Sequence, residues 1–162
     1  MDTVPPETRS RMMSGIKNKN TKPEIVIRKY LHAAGYRFRL HKKNLPGKPD
    51  ISMKKYNAII FVHGCFWHGH DCRYFKVPKT NTEFWKKKIE INRQRDLRDV
   101  LALMNIGWRV CIIWECSIRE IQKKRTNLLE GPISDWLKGN SGYLEIGIEN
   151  SEIQPTHAIY LL

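Results

Sequence analysis

The feature that most constrains this chain is residues 61–72, FVHGCFWHGHDC, called here the His/Cys segment. Its three histidines and two cysteines are interrupted by Gly64 and Gly69, which makes a regular strand or a long helix unfavourable. Nitrogen and sulfur donors at this density are typical of a loop held by a metal ion. The alternative is an ordinary loop with two buried thiols and some surface histidines.

The cysteine and histidine spacing predicts a structural zinc site. Cys65, His70 and Cys72 offer three ligands, and Cys116, just past an apolar run with strand character, is a candidate fourth. A set of three cysteines and one histidine completes a tetrahedral zinc and leaves no open position for catalysis. Disulfides are disfavoured because the chain shows no secretory signal. The remaining cysteine, Cys111, is expected to be a buried core residue.

The charge balance favours a polyanionic partner. Lys and Arg number 29 against 16 Asp and Glu, a formal net charge of +13. Nucleic acid and an anionic membrane both carry the dense negative charge that such a partner needs. The absence of a long apolar run, a signal peptide or a lipidation motif argues against a membrane role, so a cytoplasmic location is expected.

The hydrophobic content of 41% over 162 residues supports one folded domain. We expect a basic N-terminal arm at residues 1–20, a domain at 21–138 and a C-terminal tail of unassigned role at 139–162. The arm could enter a groove of DNA or be a loose terminus.

Hydrophobic periodicity predicts an α/β fold. Thr21 and Glu24 form a capping-box pattern at the start of a helix that ends at Gly35, so Glu24 has a purely structural interpretation available. Alternating and apolar runs predict four strands, and 3.6-residue periodicity predicts two further helices. The strands are expected at 36–40, 51–53, 58–62 and 108–114, and the helices at 82–105 and 118–129. A short helical turn is expected at 135–137.

Asp50 follows a Pro-Gly turn and opens a strand, which resembles the front half of the PD-(D/E)xK nuclease signature. In that signature the aspartate holds a divalent cation. The back half is missing, because the next strand ends in Val62, His63 and Gly64. A histidine can replace the missing groups as general base, and a backbone carbonyl can serve as an oxygen ligand.

Five motifs together resemble the very short patch repair (Vsr) DNA mismatch endonucleases. They are LPGKPD at 45–50, VHGCFWHGHDC at 62–72, TEFW at 82–85, NRQRD at 92–96, and GWRV through WEC at 107–116. The resemblance implies a restriction-endonuclease-like fold, a mixed β-sheet flanked by helices, with a structural zinc. It also implies a Mg²⁺-dependent enzyme that nicks one strand 5′ of the thymine in a T·G mismatch. Such mismatches arise from deamination of 5-methylcytosine.

The resemblance assigns roles to residues near Asp50. Asp50 and the main-chain carbonyl of Val62, where the family more commonly has threonine, are implied Mg²⁺ ligands. His68 is implied as the general base and His63 as a contact to the scissile phosphate. Asp96 is implied to orient a histidine.

Other implied roles are support of the site by Glu24 and direct contact with DNA. The implied DNA contacts are of three kinds. An aromatic wedge that enters from the major groove comprises Phe66, Trp67 and Trp85. Met13 of the arm contacts the minor groove, and Lys88 and Asn92 read the edges of the mismatched bases. Trp85 has the alternative of being a core residue on an amphipathic helix.

Two other functions are compatible with these motifs. One is a sequence-specific nicking or restriction endonuclease of the same fold acting on intact duplex, and the other is a non-catalytic zinc-braced DNA-binding module. Asp50 and His68 argue against simple binding, and the aromatic wedge favours mismatch recognition. A monomer is expected, since one nick needs one active site. A functional link to a cytosine-5 DNA methyltransferase and to repair proteins is also expected.

Overall fold

A computed structural model describes residues 5–15, 17–124, 129–149 and 152–156. These residues form one mixed sheet of six strands in sequential order, in which the three central strands run parallel and the outer pairings are antiparallel. The strands are β1 (Arg39–Leu40), β2 (Ile51–Met53), β3 (Ala58–His63), β4 (Arg109–Trp114), β5 (Tyr143–Glu149) and β6 (Glu152–Thr156). The predicted mixed sheet is confirmed.

Helices cover both faces of the sheet, as the predicted flanked architecture requires. They are α1 (Pro6–Ser14), α2 (Lys22–Ala33), α3 (Cys65–His68), α4 (Thr82–Asn105), α5 (Glu115–Lys124) and α6 (Glu130–Lys138), with a 3₁₀ turn at Lys54–Tyr56. Buried residues of α2, α5 and α6 pack against one face, and those of α4 pack against the other. None of these described helices combines the length and hydropathy needed to cross a bilayer.

β4 shows why the chain needs both helical layers. Its side chains alternate between the faces, so that Cys111 and Ile113 lie in the core beneath α2, while Val110, Ile112 and Trp114 lie in the core beneath α4. A strand buried on both faces has a continuous apolar sequence, and residues 110–114 of β4 have such a sequence. Cys111 is fully buried, as predicted.

The predicted start of α2 is confirmed in detail. The hydroxyl of Thr21 accepts a hydrogen bond from the Glu24 N–H, and the Glu24 carboxylate accepts one from the Thr21 N–H at 3.3 Å. This reciprocal pair satisfies two N–H groups that the first turn would leave unpaired. Glu24 is only 1% exposed, so this capping carboxylate lies in the interior of the protein.

Several boundaries differ from the sequence prediction. β1 has two residues where five were predicted, and α5 begins at Glu115 rather than at 118. α6 runs from Glu130 to Lys138, where only a short helical turn at 135–137 was predicted, and Gly131 and Pro132 lie in its first turn. Proline is tolerated there because its missing N–H would have no partner in the helix. Within the His/Cys segment, residues 65–68 form one helical turn, α3, between its two glycines.

The C-terminal region contributes more to the fold than its expected role as a tail suggests. β5 pairs in parallel with β4, aligning Val110 with Tyr143 and Ile113 with Ile146. Leu144 and Ile146 are completely buried in the core. The described part of residues 139–162 therefore supplies two strands of the sheet.

Candidate metal and catalytic sites

The four predicted zinc ligands converge at one end of the sheet. Ligand atoms of Cys65, His70, Cys72 and Cys116 all lie within 4.8 Å of one another, and the Cys116 Sγ is 3.4 Å from the His70 Nδ1. The neighbouring Cys116 and burial raise the pKa of the Cys65 thiol, so a bound cation would help to hold the Cys65 sulfur as a thiolate. Donor types, number and spacing all fit a tetrahedral zinc.

Local sequence explains how these ligands meet. α3 begins at Cys65 and ends at Gly69, whose φ of +66° is left-handed. A β-carbon at Gly69 would come within 2.6 Å of the Ile89 Cγ2 on α4, so only glycine lets the turn pack this closely. The parallel register aligns His63 with Trp114, and Cys116 follows at the same end of the sheet.

His63, His68 and Asp96 form a second cluster beside the zinc ligands. The imidazole rings of His63 and His68 stack with centroids 3.8 Å apart and planes within 4°. His68 Nδ1 is hydrogen-bonded to the Asp96 Oδ2 on α4. This bond orients His68 so that its other nitrogen, Nε2, is available for proton transfer.

The charges of this cluster are set by burial and contact. Burial raises the pKa of Asp96, but the hydrogen bond to His68, electrostatic interactions with the two imidazoles and a hydrogen bond from Arg95 outweigh it, and the pKa is lowered. Burial, followed by the charge of His68, lowers the pKa of His63 to about 3. His63 is therefore neutral at neutral pH. Its buried Nδ1 has no hydrogen-bond partner among the described residues.

Asp50 lies next to this cluster, at the start of β2. Its Oδ2 accepts a 2.8 Å hydrogen bond from the Val62 N–H at the end of β3. Burial raises the pKa of Asp50 to about 6, although the Val62 N–H and the charges of Arg28 and His68 oppose the rise. An ionised carboxylate that burial destabilises gains from a bound cation, which fits the oxygen chemistry that Mg²⁺ prefers.

A third cluster contains one residue that the sequence reading missed. Glu24, His41 and Asp50 bring ligand atoms within 4.8 Å of one another. The Glu24 Oε1 lies 3.1 Å from the His41 Nε2 and is also paired with Arg28. Nothing in the sequence around His41 indicates that it belongs to this cluster. Its position depends on the hydrogen bond that its backbone N–H donates to the Asp50 carbonyl.

The three predicted wedge residues form an aromatic cluster. Phe66, Trp67 and Trp85 are all half-buried, with ring centroids 5.1 to 6.0 Å apart. Phe84, which the sequence reading omitted, is 59% exposed and contacts Trp85 edge-on at 5.3 Å. Trp85 therefore packs against other aromatic rings at the surface rather than in the core.

The other predicted DNA contacts are arranged differently. Lys88 is exposed on α4. Asn92, one turn further along, donates a 2.8 Å hydrogen bond from its side chain to the Trp67 carbonyl, so it also holds the aromatic cluster in place. The backbone of Met13 lies in α1, and its side chain falls outside the described residues.

For the nicking activity that the Vsr resemblance implies, Asp96→Asn is expected to lower the single-turnover rate by about 10- to 100-fold. The amide keeps an acceptor for His68 but removes the negative charge that stabilises a protonated imidazole. Asp99→Asn, three residues further along α4, is the matched control, since Asp99 pairs only with Arg98 among the described residues. Equal rates for the two variants would contradict this role of Asp96.

Asp50→Asn is expected to stabilise the protein in Mg²⁺-free buffer by on the order of 2 kcal/mol at pH 8. Because the folded-state pKa is about 6, above the usual carboxyl value, the Asp50 contribution to stability is largest at low pH and is lost as pH rises through 6. Asparagine imitates the protonated form at every pH. Urea unfolding of the wild-type protein and the variant at pH 4 and pH 8 checks this. If the unfolding free energy changed between the two pH values by the same amount in both proteins, the prediction would be contradicted.

Comparison with known sequences connects these sites to enzymes. Residues 1–74, which contain Asp50, His63 and His68, match the family model described as DNA mismatch endonuclease Vsr. A type II nicking enzyme of Xanthomonas oryzae pv. oryzae is 48% identical over 120 residues, covering 74% of this chain and 88% of the relative. DNA mismatch endonuclease Vsr of Escherichia coli is 42% identical over 139 residues, covering 86% and 89%. A type II nicking enzyme of Neisseria meningitidis serogroup A is 43% identical over 129 residues, covering 78% and 92%.

Proposed function

This chain belongs to the Vsr family of DNA mismatch endonucleases, and on that premise we propose that it nicks one DNA strand 5′ of the thymine in a T·G mismatch. Such a nick starts very short patch repair of deaminated 5-methylcytosine. The net charge of +13 suits a DNA substrate. Because these relatives are bacterial, we propose action on the nucleoid in the cytoplasm. A monomer is proposed because one nick needs one active site, and a functional link to a cytosine-5 DNA methyltransferase and repair proteins is what the Vsr resemblance implies.

The observation that carries this proposal is the content of one helical turn. α3 holds a zinc ligand, Cys65, then two wedge residues, Phe66 and Trp67, then the proposed base, His68. A single turn thus links the rings that open a base step to the base that activates the attacking water. A T·G step costs less to open than a paired step, so insertion of the rings itself selects the mismatch.

The ligands proposed for the two metals combine the clusters above with the roles that the Vsr resemblance implies. Cys65, His70, Cys72 and Cys116 would hold zinc, whose role is to brace the His/Cys segment. Asp50 and the main-chain carbonyl of Val62 would hold Mg²⁺, with Glu24 supporting the site. When bound, Mg²⁺ supplies positive charge that polarises the scissile phosphate and makes water more acidic. Because Val62 would act through its carbonyl, the absence of the threonine usual in the family has little consequence.

The protein's own groups move the proton and place the phosphate. His68 Nε2 takes a proton from the attacking water, and the Asp96 carboxylate stabilises the resulting imidazolium through Nδ1. His63 stays neutral and contacts the scissile phosphate as a hydrogen-bond donor. The stacked arrangement suits this division, since a second positive charge 3.8 Å away would oppose protonation of His68.

A second candidate function is sequence-specific nicking of intact duplex. It is favoured by two of the relatives, which are named as type II nicking enzymes. The discriminating experiment compares T·G and T·A duplexes of identical flanking sequence with Mg²⁺ under single-turnover conditions. Faster nicking of the T·G duplex supports the mismatch function, and equal rates on both duplexes would support the second function instead.

Trp85→Ala is expected to slow nicking of a T·G duplex by about 5- to 100-fold, because stacking of one aromatic ring on a base contributes roughly 1–3 kcal/mol. Phe84→Ala is the control, since it removes the adjacent exposed ring and leaves the aromatic cluster intact. An equal loss in both variants, or no loss in Trp85→Ala, would contradict insertion of Trp85.

A further inference from the structure

Trp114, the last residue of β4, lies between the zinc ligands and the catalytic histidines. It is 7% exposed, and its indole stacks on the imidazole of His70 with centroids 4.3 Å apart and planes 12° apart. The same indole contacts His63 edge-on at 5.4 Å and His68 at 6.4 Å. One side chain therefore touches both a zinc ligand and the stacked histidine pair.

The indole is fixed from the neighbouring strand. Its Nε1–H donates a 2.6 Å hydrogen bond to the Glu145 Oε1 on β5, and the Tyr143 hydroxyl donates to the other carboxylate oxygen at 2.7 Å. Burial and the charge of Glu145 raise the pKa of Tyr143, so this hydroxyl keeps its proton and remains a donor. Glu145 is therefore held from both sides.

Gly147 provides the space that this arrangement needs. It lies two residues after Glu145 and so on the same face of β5. A β-carbon there would come within 2.8 Å of the His70 Nε2 and 3.2 Å of the Trp114 Cδ1. The stacked pair thus fits closely against the backbone of β5, in space that a side chain at this position would fill.

From these contacts we propose that Trp114, oriented by Glu145, is a positioning residue that sets the place of His63 and His68 relative to the zinc-bound segment. The inference rests on the proposed function, because it gives those histidines their catalytic task. His70, which would be held by zinc, lies against one face of the indole, and the indole edge limits where the imidazole pair can lie. Catalytic groups displaced by about 1 Å lose on the order of 10²-fold in rate, so such a spacer matters for the chemical step.

The test compares Trp114→Phe, Trp114→Leu and Glu145→Gln with Trp108→Phe. Trp108 is the matched control because it is a half-buried tryptophan just before the other end of β4. At full zinc content, the Trp114→Leu variant is expected to lose about 10²-fold in single-turnover rate, with DNA affinity little changed. Glu145→Gln, which keeps the shape of the side chain, is expected to show a smaller loss of the same kind. Zinc release to a chelator is expected to be faster in Trp114→Leu and in Glu145→Gln than in Trp108→Phe.

A second readout does not depend on nicking. In ¹⁵N-labelled protein, the imidazole signals of His63 and His68 are expected to shift in Trp114→Phe and Glu145→Gln but not in Trp108→Phe. If wild-type protein fails to nick T·G duplex, the proposed function fails while these signals still decide the inference. Unshifted imidazole signals, or nicking and zinc-release rates equal to those of Trp108→Phe, would overturn it. If Trp114→Leu does not fold, Glu145→Gln decides by the same criteria.

Discussion

Asp50→Ala is expected to reduce nicking of a T·G duplex by at least about 10³-fold, with DNA affinity changed only a few-fold. The carboxylate is hydrogen-bonded to the Val62 N–H and lies beside Glu24 and His41, where the proposed Mg²⁺ ligands meet. Without it, the site lacks the negative charge that holds the cation. Single-turnover nicking with a Mg²⁺ titration measures the rate, and a binding assay without Mg²⁺ measures affinity.

Asp135→Ala is the control for this prediction. Asp135 is an exposed carboxylate on α6, on the opposite side of the sheet from α4. The control variant should nick at the wild-type rate. Activity of Asp50→Ala within about tenfold of wild type would remove Asp50 as the cation ligand.

The second large effect is expected in Cys72→Ala, which should lose zinc and the native fold of the His/Cys segment together. The free energy of structural zinc binding is available to folding, and it reaches about 10 kcal/mol or more in small zinc domains. Without the ion, the apolar packing of α3 must hold a segment that contains two glycines. Metal analysis should find about one zinc per chain in the wild-type protein and almost none in the variant, with a lowered melting temperature.

Cys111→Ala separates loss of a ligand from loss of a buried thiol. Cys111 lies in the core beneath α2 and takes no part in the cluster of zinc ligands. Its replacement should cost about 1–2 kcal/mol of stability and leave the zinc content unchanged. Equal zinc content in Cys72→Ala and Cys111→Ala would contradict the proposed zinc site.

The sequence predicted the parts of the fold that depend on local signals. The capping box of Thr21 and Glu24 fixes the start of α2, and the apolar runs define β3 and β4. The close spacing of Cys65, His70 and Cys72 makes their proximity almost unavoidable. Cys116 joins them because β3 and β4 are parallel and end together.

The parts that were missed depend on contacts between distant segments. His41 reaches Glu24 because β1 and β2 pair beside α2, and no local pattern shows this. The bond between Trp114 and Glu145 joins β4 to a strand in a region expected to be a tail. Such pairs are set by strand order and register, which composition and periodicity do not specify.

The most direct test of the proposed function is to map the nick on both strands of a T·G duplex. Each strand is labelled at its end in turn, incubated with Mg²⁺ and wild-type protein, and compared with the Asp50→Ala reaction. The proposed function predicts one product, from cleavage immediately 5′ of the mismatched thymine, with the other strand intact and no product from the variant. Cleavage of both strands, or the same nick in the matched T·A duplex at the same rate, would contradict it.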